Sequence, residues 1–197
     1  MFDAVVMDAP PTGRITRFLN VNSEVAGIAR MGPIHSQAKS VMAVMASPRT
    51  AVHLVTLLEE MPVQETIDGV GHLYEEGLPV GAVIINSDRP PLLTAPQRDE
   101  ALRGGLDRMA LASAVSAADV ITSRDPHTVD EVVDALVEEA RDHAERVAVA
   151  EQERATLTQL DLPQLSLPHI PGGIDLGALY ELAARLRAAG LGPEPRP

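Results

Sequence analysis

The chain contains no cysteine and no tryptophan, and only two phenylalanines and two tyrosines among its 197 residues. Without cysteine, disulfides, thiolate zinc sites and a cysteine nucleophile are excluded within this sequence. The scarcity of aromatic residues predicts a core built from Val, Leu, Ile, Ala and Met. No apolar run reaches membrane-spanning length and no signal peptide is recognisable before Phe2, so we expect a cytoplasmic protein without a transmembrane segment.

Basic residues are also scarce, since 16 Lys and Arg stand against 28 Asp and Glu, giving a net charge of −12. Nucleic-acid binding needs clustered Lys and Arg, so we expect no nucleic-acid partner. The one lysine, Lys39, has no glycine before it, and the phosphate loop G-x-x-x-x-G-K-[ST] is absent from the sequence. A nucleotide is not excluded by the charge, because Mg²⁺ and a local loop can hold its phosphates.

Short apolar runs alternate with helical patterns along the chain. Four runs predict parallel strands buried on both faces, at residues 4–7, 52–57, 80–85 and 165–167. Helices are predicted at 12–45, with a break at Gly32-Pro33, at 62–77, and at 97–117, with a break at Gly104-Gly105. A long helix is predicted after a capping box at 128–131, and a last helix is predicted to be capped by Asp175. This alternation predicts an α/β fold, a parallel sheet with flanking helices.

The first apolar run ends in an acid, and a turn follows at once. Asp8 is followed by Pro10, Pro11, Thr12 and Gly13. In P-loop proteins that hydrolyse nucleotides, an acid in this position orders Mg²⁺, usually through water, and the following turn senses the γ-phosphate. The alternative is that Asp8 only caps the helical segment starting near Arg14. The apolar strand before Asp8 and the Pro-Pro-Thr-Gly after it favour the metal-linked interpretation.

A second candidate is Asn86, which ends the third apolar run before a Pro-rich loop, Arg89-Pro90-Pro91. Taken alone, the residue types favour a turn role for this Asn, because Asn is common in turns. The histidines form no H-x-x-x-H or H-E-x-x-H pattern, so a histidine metal site is not expected.

Four segments resemble the arsenite-pump ATPase family (ArsA-like), which includes the ATPases that deliver tail-anchored membrane proteins. They are DAPPTGR at 8–14, VTLLEEMPVQET at 55–66, VIIN at 83–86 and LPHIP at 167–171. They follow the family's order and cover nearly the whole chain. The likeness is nearest to actinobacterial members.

This resemblance implies one partial ATPase domain over 1–197, the C-terminal part of a P-loop NTPase fold of the SIMIBI type. Its parts would be a switch II strand at 3–13, a helical-subdomain segment at about 14–47, the remaining sheet and helices at 48–190, and a frayed tail at 191–197. Asp8 would order Mg²⁺, and Pro10, Pro11, Thr12 and Gly13 would form switch II. Asn86 would bind the adenine edge, while the backbone of Pro168, His169, Ile170 and Pro171 would pack on the base.

The resemblance also implies ATP and Mg²⁺ as cofactors, a homodimer or a heterodimer with an intact ATPase, and a membrane-protein client. The family's phosphate loop, its upstream first-switch Asp and its metal-binding cysteines have no counterpart here. The implied function is therefore ATP hydrolysis coupled to a transport or targeting partner in a complete protein. The alternative is a non-catalytic subunit or truncated relic that acts as a dimerisation or client-binding module.

We predict that the isolated 197-residue chain shows no ATPase activity above background. The phosphate loop, whose backbone N–H groups and Lys stabilise the transferred phosphoryl group, is missing from this sequence. Phosphate release by the purified chain, with and without Mg²⁺, is the measurement. Mg²⁺-dependent turnover that Asp8→Asn abolishes would contradict the prediction.

Overall fold

The computed structural model describes residues 4–11, 14, 32–118 and 126–191. The chain divides into two compact units, one formed by Met1–Arg89 with Glu153–Pro197 and the other by Pro90–Gln152. The single partial domain implied by the resemblance stays a prediction.

The first unit contains a three-stranded parallel sheet. Its strands are β1 (Val52–Thr56), β2 (Val80–Asp88) and β3 (Gln164–Pro168), in the order β1-β2-β3. The predicted α/β fold with a parallel sheet is thereby confirmed, and three of the predicted strands are found within three residues of the expected bounds.

The fourth predicted strand differs from the structure. Residues 4–11 form no strand, and Val5 and Val6 are 84% and 95% exposed. A strand needs neighbours that accept and donate its backbone hydrogen bonds. Among the described residues no strand pairs with this segment. Its hydrophobic composition alone is therefore not sufficient to form a strand.

Several helix ends follow the turn and capping residues of the sequence, but the long helix begins at Pro126, before the capping box predicted at 128–131. Gly77, with φ 67°, ends the second helix, because the Leu78 N–H donates to the Leu73 carbonyl at 2.9 Å. The predicted cap is confirmed, since the Asp175 carboxylate accepts from the Ala178 N–H at 2.8 Å. The helices with described bounds are α1 (Pro33–Met45), α2 (Glu60–Glu75), α3 (Ala95–Leu102), α4 (Arg108–Ala117), α5 (Pro126–Leu157) and α6 (Leu176–Ala188).

Helix α2 packs against β1 and β2 and completes the core of the first unit. One buried cluster joins Leu54, Val70, Leu73 and Leu78, and a second joins Val63, Val83, Ile85 and Leu157. The prediction that every strand is buried on both faces is wrong for β1. There His53 is exposed and Val55 is 59% exposed, so β1 alternates between a buried and a solvent-facing side.

The second unit contains α3, α4 and most of α5. Arg98 pairs with Glu151 at 2.9 Å, and Arg108 pairs with Asp134. Val133 and Ala144 on α5 are buried as predicted, whereas Leu136, also predicted to face the core, is 42% exposed. In the part of the chain that the structure describes, no helix is both long enough and apolar enough to cross a membrane.

We predict that Leu157→Ala lowers the free energy of unfolding of the first unit by about 3 kcal/mol, because it empties a buried site among Val63, Val83 and Ile85. Urea unfolding followed by circular dichroism is the measurement. Leu136→Ala is the matched control in the same helix, with an expected change within about 0.5 kcal/mol. Equal losses in the two variants would refute the buried role of Leu157.

Candidate functional site at the carboxyl end of the sheet

The carboxyl ends of β2 and β3 bring two groups of predicted site residues to one edge of the sheet. Ile85 is in register with Ser166, and Asp88 with Pro168. The main-chain N–H of His169 donates to the Asp88 carbonyl at 2.9 Å, which extends the pairing past β3. Asn86 therefore stands on the strand next to Pro168 and His169. Ligands of open parallel sheets bind at this edge.

An irregularity in β2 lies at the candidate residue itself. Between the paired positions Ile85–Ser166 and Asp88–Pro168, β2 advances by three residues and β3 by two, so Asn86 and Ser87 lie in a bulge. Ser87 has φ 53°, a left-handed conformation that is costly for a residue with a Cβ. Bulges next to sites redirect side chains. Asn86 is exposed at this bend, where its amide can reach a ligand.

Behind the bulge lies a group of polar residues that we call the strand-end cluster: Asp88, Arg154, Ser166 and His169. Arg154 donates from Nη2 to Asp88 Oδ2 at 2.8 Å and from Nη1 to Ser166 Oγ at 3.0 Å. One guanidinium thus joins the ends of β2 and β3. Arg89, which is not a member of the cluster, places its Nη2 3.2 Å from Nε2 of His169.

A cavity of about 440 Å³ follows directly after β3, within the usual size range of small-molecule sites. Gly172 and Gly173, with φ 86° and 99°, form the turn that shapes it. Its described lining includes two carboxylates and no basic side chain: Ile170, Pro171, Gly172, Gly173, Ile174, Asp175, Ala178 and Glu181. Of the predicted adenine-contacting residues, Ile170 and Pro171 line the cavity, whereas Asn86, Pro168 and His169 do not.

The charges of this lining restrict what it can hold. The Asp175 carboxylate is engaged by the Ala178 N–H, and Glu181 pairs with Arg185 at 3.2 Å. Phosphate groups need cationic or N–H donors, which the described lining does not supply as side chains. The side chains of this lining therefore disfavour a phosphate chain, and a nucleobase at this cavity stays a prediction.

The predicted switch residues lie in the segment that precedes the first strand. Asp8 and Pro11 are exposed and Pro10 is half-buried, while Thr12 and Gly13 lie outside the described residues. The Arg14 N–H donates to the Pro11 carbonyl at 2.8 Å, and the turn predicted between them stays a prediction. Ala9 packs against the cluster around Leu54 and anchors the segment to the first unit.

The described residues contain no group of three His, Asp or Glu side chains arranged to hold a metal ion. Protein-bound Mg²⁺ commonly uses one or two carboxylates, several waters and substrate phosphates. Asp8 presents one exposed carboxylate, and its role as a Mg²⁺ ligand stays a prediction.

Sequence reasoning missed Ser87, Asp88, Arg154 and Ser166. Ser166 lies within the predicted strand 165–167 and Asp88 follows the predicted strand 80–85 by three residues, so both could have been found by listing polar residues in and just after the strands. Arg154 has no such signal, because it lies on α5 and contacts Asp88 across 66 positions of sequence. The bulge at Ser87 depends on pairing between two strands, which no single segment encodes.

The chain is similar to longer mycobacterial proteins. ATPase BagA of Mycobacterium tuberculosis is 38% identical over 191 residues, which cover 97% of this chain and 54% of the relative. A Mycobacterium bovis protein that carries an ATPase name matches with the same identity and the same coverage. The chain therefore spans about half the length of these curated relatives. No protein-family model matches it.

We predict that Ser87→Gly raises the free energy of unfolding by up to about 1 kcal/mol, whereas Ser87→Val lowers it by about 1–2 kcal/mol. The physical reason is the left-handed backbone at φ 53°, which glycine accepts and a β-branched residue does not. Asp161→Gly is the matched control, since Asp161 has φ 50° outside the site and should respond alike. Urea unfolding is the measurement, and a valine variant as stable as the parent would contradict the bulge.

Proposed function

We propose that this chain is the nucleobase-binding, C-terminal portion of an ArsA-like ATPase that binds and hydrolyses ATP in its complete form. The observation that carries the proposal is the juxtaposition of Asn86, in the bulge of β2, with the loop that begins at Pro168. The similarity to proteins named as ATPases over 97% of the chain supports it.

The charges of the cavity lining indicate which part of the nucleotide this chain would bind. The described lining of the cavity after β3 carries two carboxylates and no basic side chain, so the phosphates would need a loop from the rest of the complete protein. The relatives are about twice as long as the matched region, which leaves room for such a loop. In this proposal, Asn86 hydrogen-bonds the adenine edge while Ile170 and Pro171 pack against the ring.

The segment from Asp8 to Gly13 takes the switch role in the proposal. Asp8 would order Mg²⁺ through water, and Pro10, Pro11, Thr12 and Gly13 would respond to the γ-phosphate. The exposed position of Asp8 leaves its carboxylate accessible for this purpose. Hydrolysis would be coupled to a transport or targeting partner through a dimer in the cytoplasm. Ala9, packed against the core, would transmit the change to the sheet.

A non-catalytic role is the second candidate, and one observation favours it. Residues at helical spacing on α6 expose an apolar face, with Leu176 68%, Leu179 53% and Tyr180 69% exposed. A face of this kind is typical of protein–protein contact. In this alternative the chain is a dimerisation or client-binding module. Analytical ultracentrifugation decides it, because a chain that stays monomeric and binds adenosine would exclude the module as its main role.

We predict that adenosine binds the isolated chain. It should shift the amide NMR signals of residues 170–175 more than guanosine does. Adenosine lacks phosphates and so probes the base end alone. Asn86→Ala should weaken adenosine binding about fivefold to tenfold, the effect of a lost hydrogen bond whose partner stays unpaired. Gln64→Ala is the matched control, since it removes an exposed amide that bonds Asp68 on α2, and it should leave binding unchanged. Absence of any adenosine-dependent shift would refute the proposal.

A further inference from the structure

The contacts of Arg154 connect two strands that carry different parts of the candidate site. Its Nη2 bonds Asp88 Oδ2 at 2.8 Å, and its Nη1 bonds Ser166 Oγ at 3.0 Å. A guanidinium presents fixed donors in one plane, so it can satisfy both partners only when the two strand ends keep one relative position. Lysine, with a single rotatable ammonium, cannot impose the same geometry.

The backbone of Asp88 makes a second contact with the chain at the end of β3. Its carbonyl accepts the His169 N–H at 2.9 Å, while its carboxylate accepts from Arg154. The bulge at Asn86 and Ser87 interrupts the regular ladder immediately before this point. Past the bulge, the register of the strand ends therefore depends on contacts of Asp88, through its backbone pairing and through Arg154.

The exposure of this pair argues for a geometric role. The Arg154 and Asp88 side chains are 41% and 24% exposed, so solvent screens their attraction. Ion pairs of this kind contribute little to global stability. Together with the Arg154–Ser166 bond and the His169–Asp88 backbone bond, this pair still limits where the attached backbone can move. Asn86 precedes Asp88 by two residues, and the cavity loop begins directly after His169.

We propose that the strand-end cluster sets the position of Asn86 relative to the cavity loop, with Arg154 as a positioning residue for nucleobase recognition. The identity of the ligand rests on the proposed function. The geometric claim does not, because it concerns the bonds that join β2 to β3. No atom of Arg154 needs to touch the base in this proposal.

The test compares Arg154→Gln, Arg154→Lys, Asp88→Asn and the double variant Asp88→Asn/Arg154→Gln in the full 197-residue chain. Arg141→Gln is the matched control, since it removes an ion pair with Glu145 from the same helix. Three quantities are measured for each: the hydrogen-exchange rate of the His169 amide by NMR, the Kd for adenosine, and the melting temperature.

We expect Arg154→Gln to speed exchange at His169 about tenfold and to weaken adenosine binding about fivefold, with a melting temperature equal to that of Arg141→Gln. Arg154→Lys should fall between the parent and Arg154→Gln, because it keeps the charge and loses the planar donors. The double variant should match Arg154→Gln, since that single variant already removes the Arg154 bonds to both Asp88 and Ser166.

Unchanged exchange at His169 in Arg154→Gln would overturn the inference. A loss of adenosine binding that only parallels a lower melting temperature would also overturn it, because it would mark a general structural role. If the parent chain binds no adenosine, the proposed function fails and the positioning role for a base fails with it. In that event, faster exchange at His169 would still support the geometric claim by itself.

Discussion

Strand β2 has to satisfy backbone hydrogen bonds along both of its edges, and the first unit is organised around that requirement. Its parallel partners, β1 and β3, come from segments far apart in sequence. The Val83 and Ile85 side chains of β2 are fully buried, and they pack against Val63 from α2 and Leu157 from α5. Because β2 cannot move without breaking bonds on two sides, its carboxyl end is a rigid support for exposed polar residues.

Both irregularities of the sheet lie on this same strand. Near its start, β2 gains one residue relative to β1, where Gly81 stands opposite His53. A Cβ on Gly81 would lie 2.5 Å from His53 Cε1, so a larger residue at this position would require the exposed His53 ring to move. Near its end, β2 gains one residue relative to β3 at Asn86 and Ser87. The extra residues bend the ends of the strand and leave its buried middle regular.

The sequence was sufficient where local chemistry decides the structure. Three of the four strand-forming runs, the stop at Gly77 and the cap at Asp175 depend on residues within a few positions of each other, and these predictions are confirmed. Predictions from the sequence were wrong or missing where the structure depends on an absent neighbour or on one that is distant in sequence. Residues 4–7 are as apolar as β1 but have no pairing strand among the described residues, and Leu136 fits a core pattern yet is exposed. The contact from Arg154 to Asp88 likewise exists only after folding.

The position of the strand-end cluster in the chain has a consequence for protein engineering. Asp88 lies two residues before the second unit begins at Pro90, and Arg154 lies two residues after it ends at Gln152. Because their side chains bond at 2.8 Å, the two points where the chain leaves and re-enters the first unit are close in space. Segments with neighbouring ends tolerate excision and replacement well. The 90–152 region therefore has the geometry of an insertion, and a short linker can close the first unit without stretching its backbone.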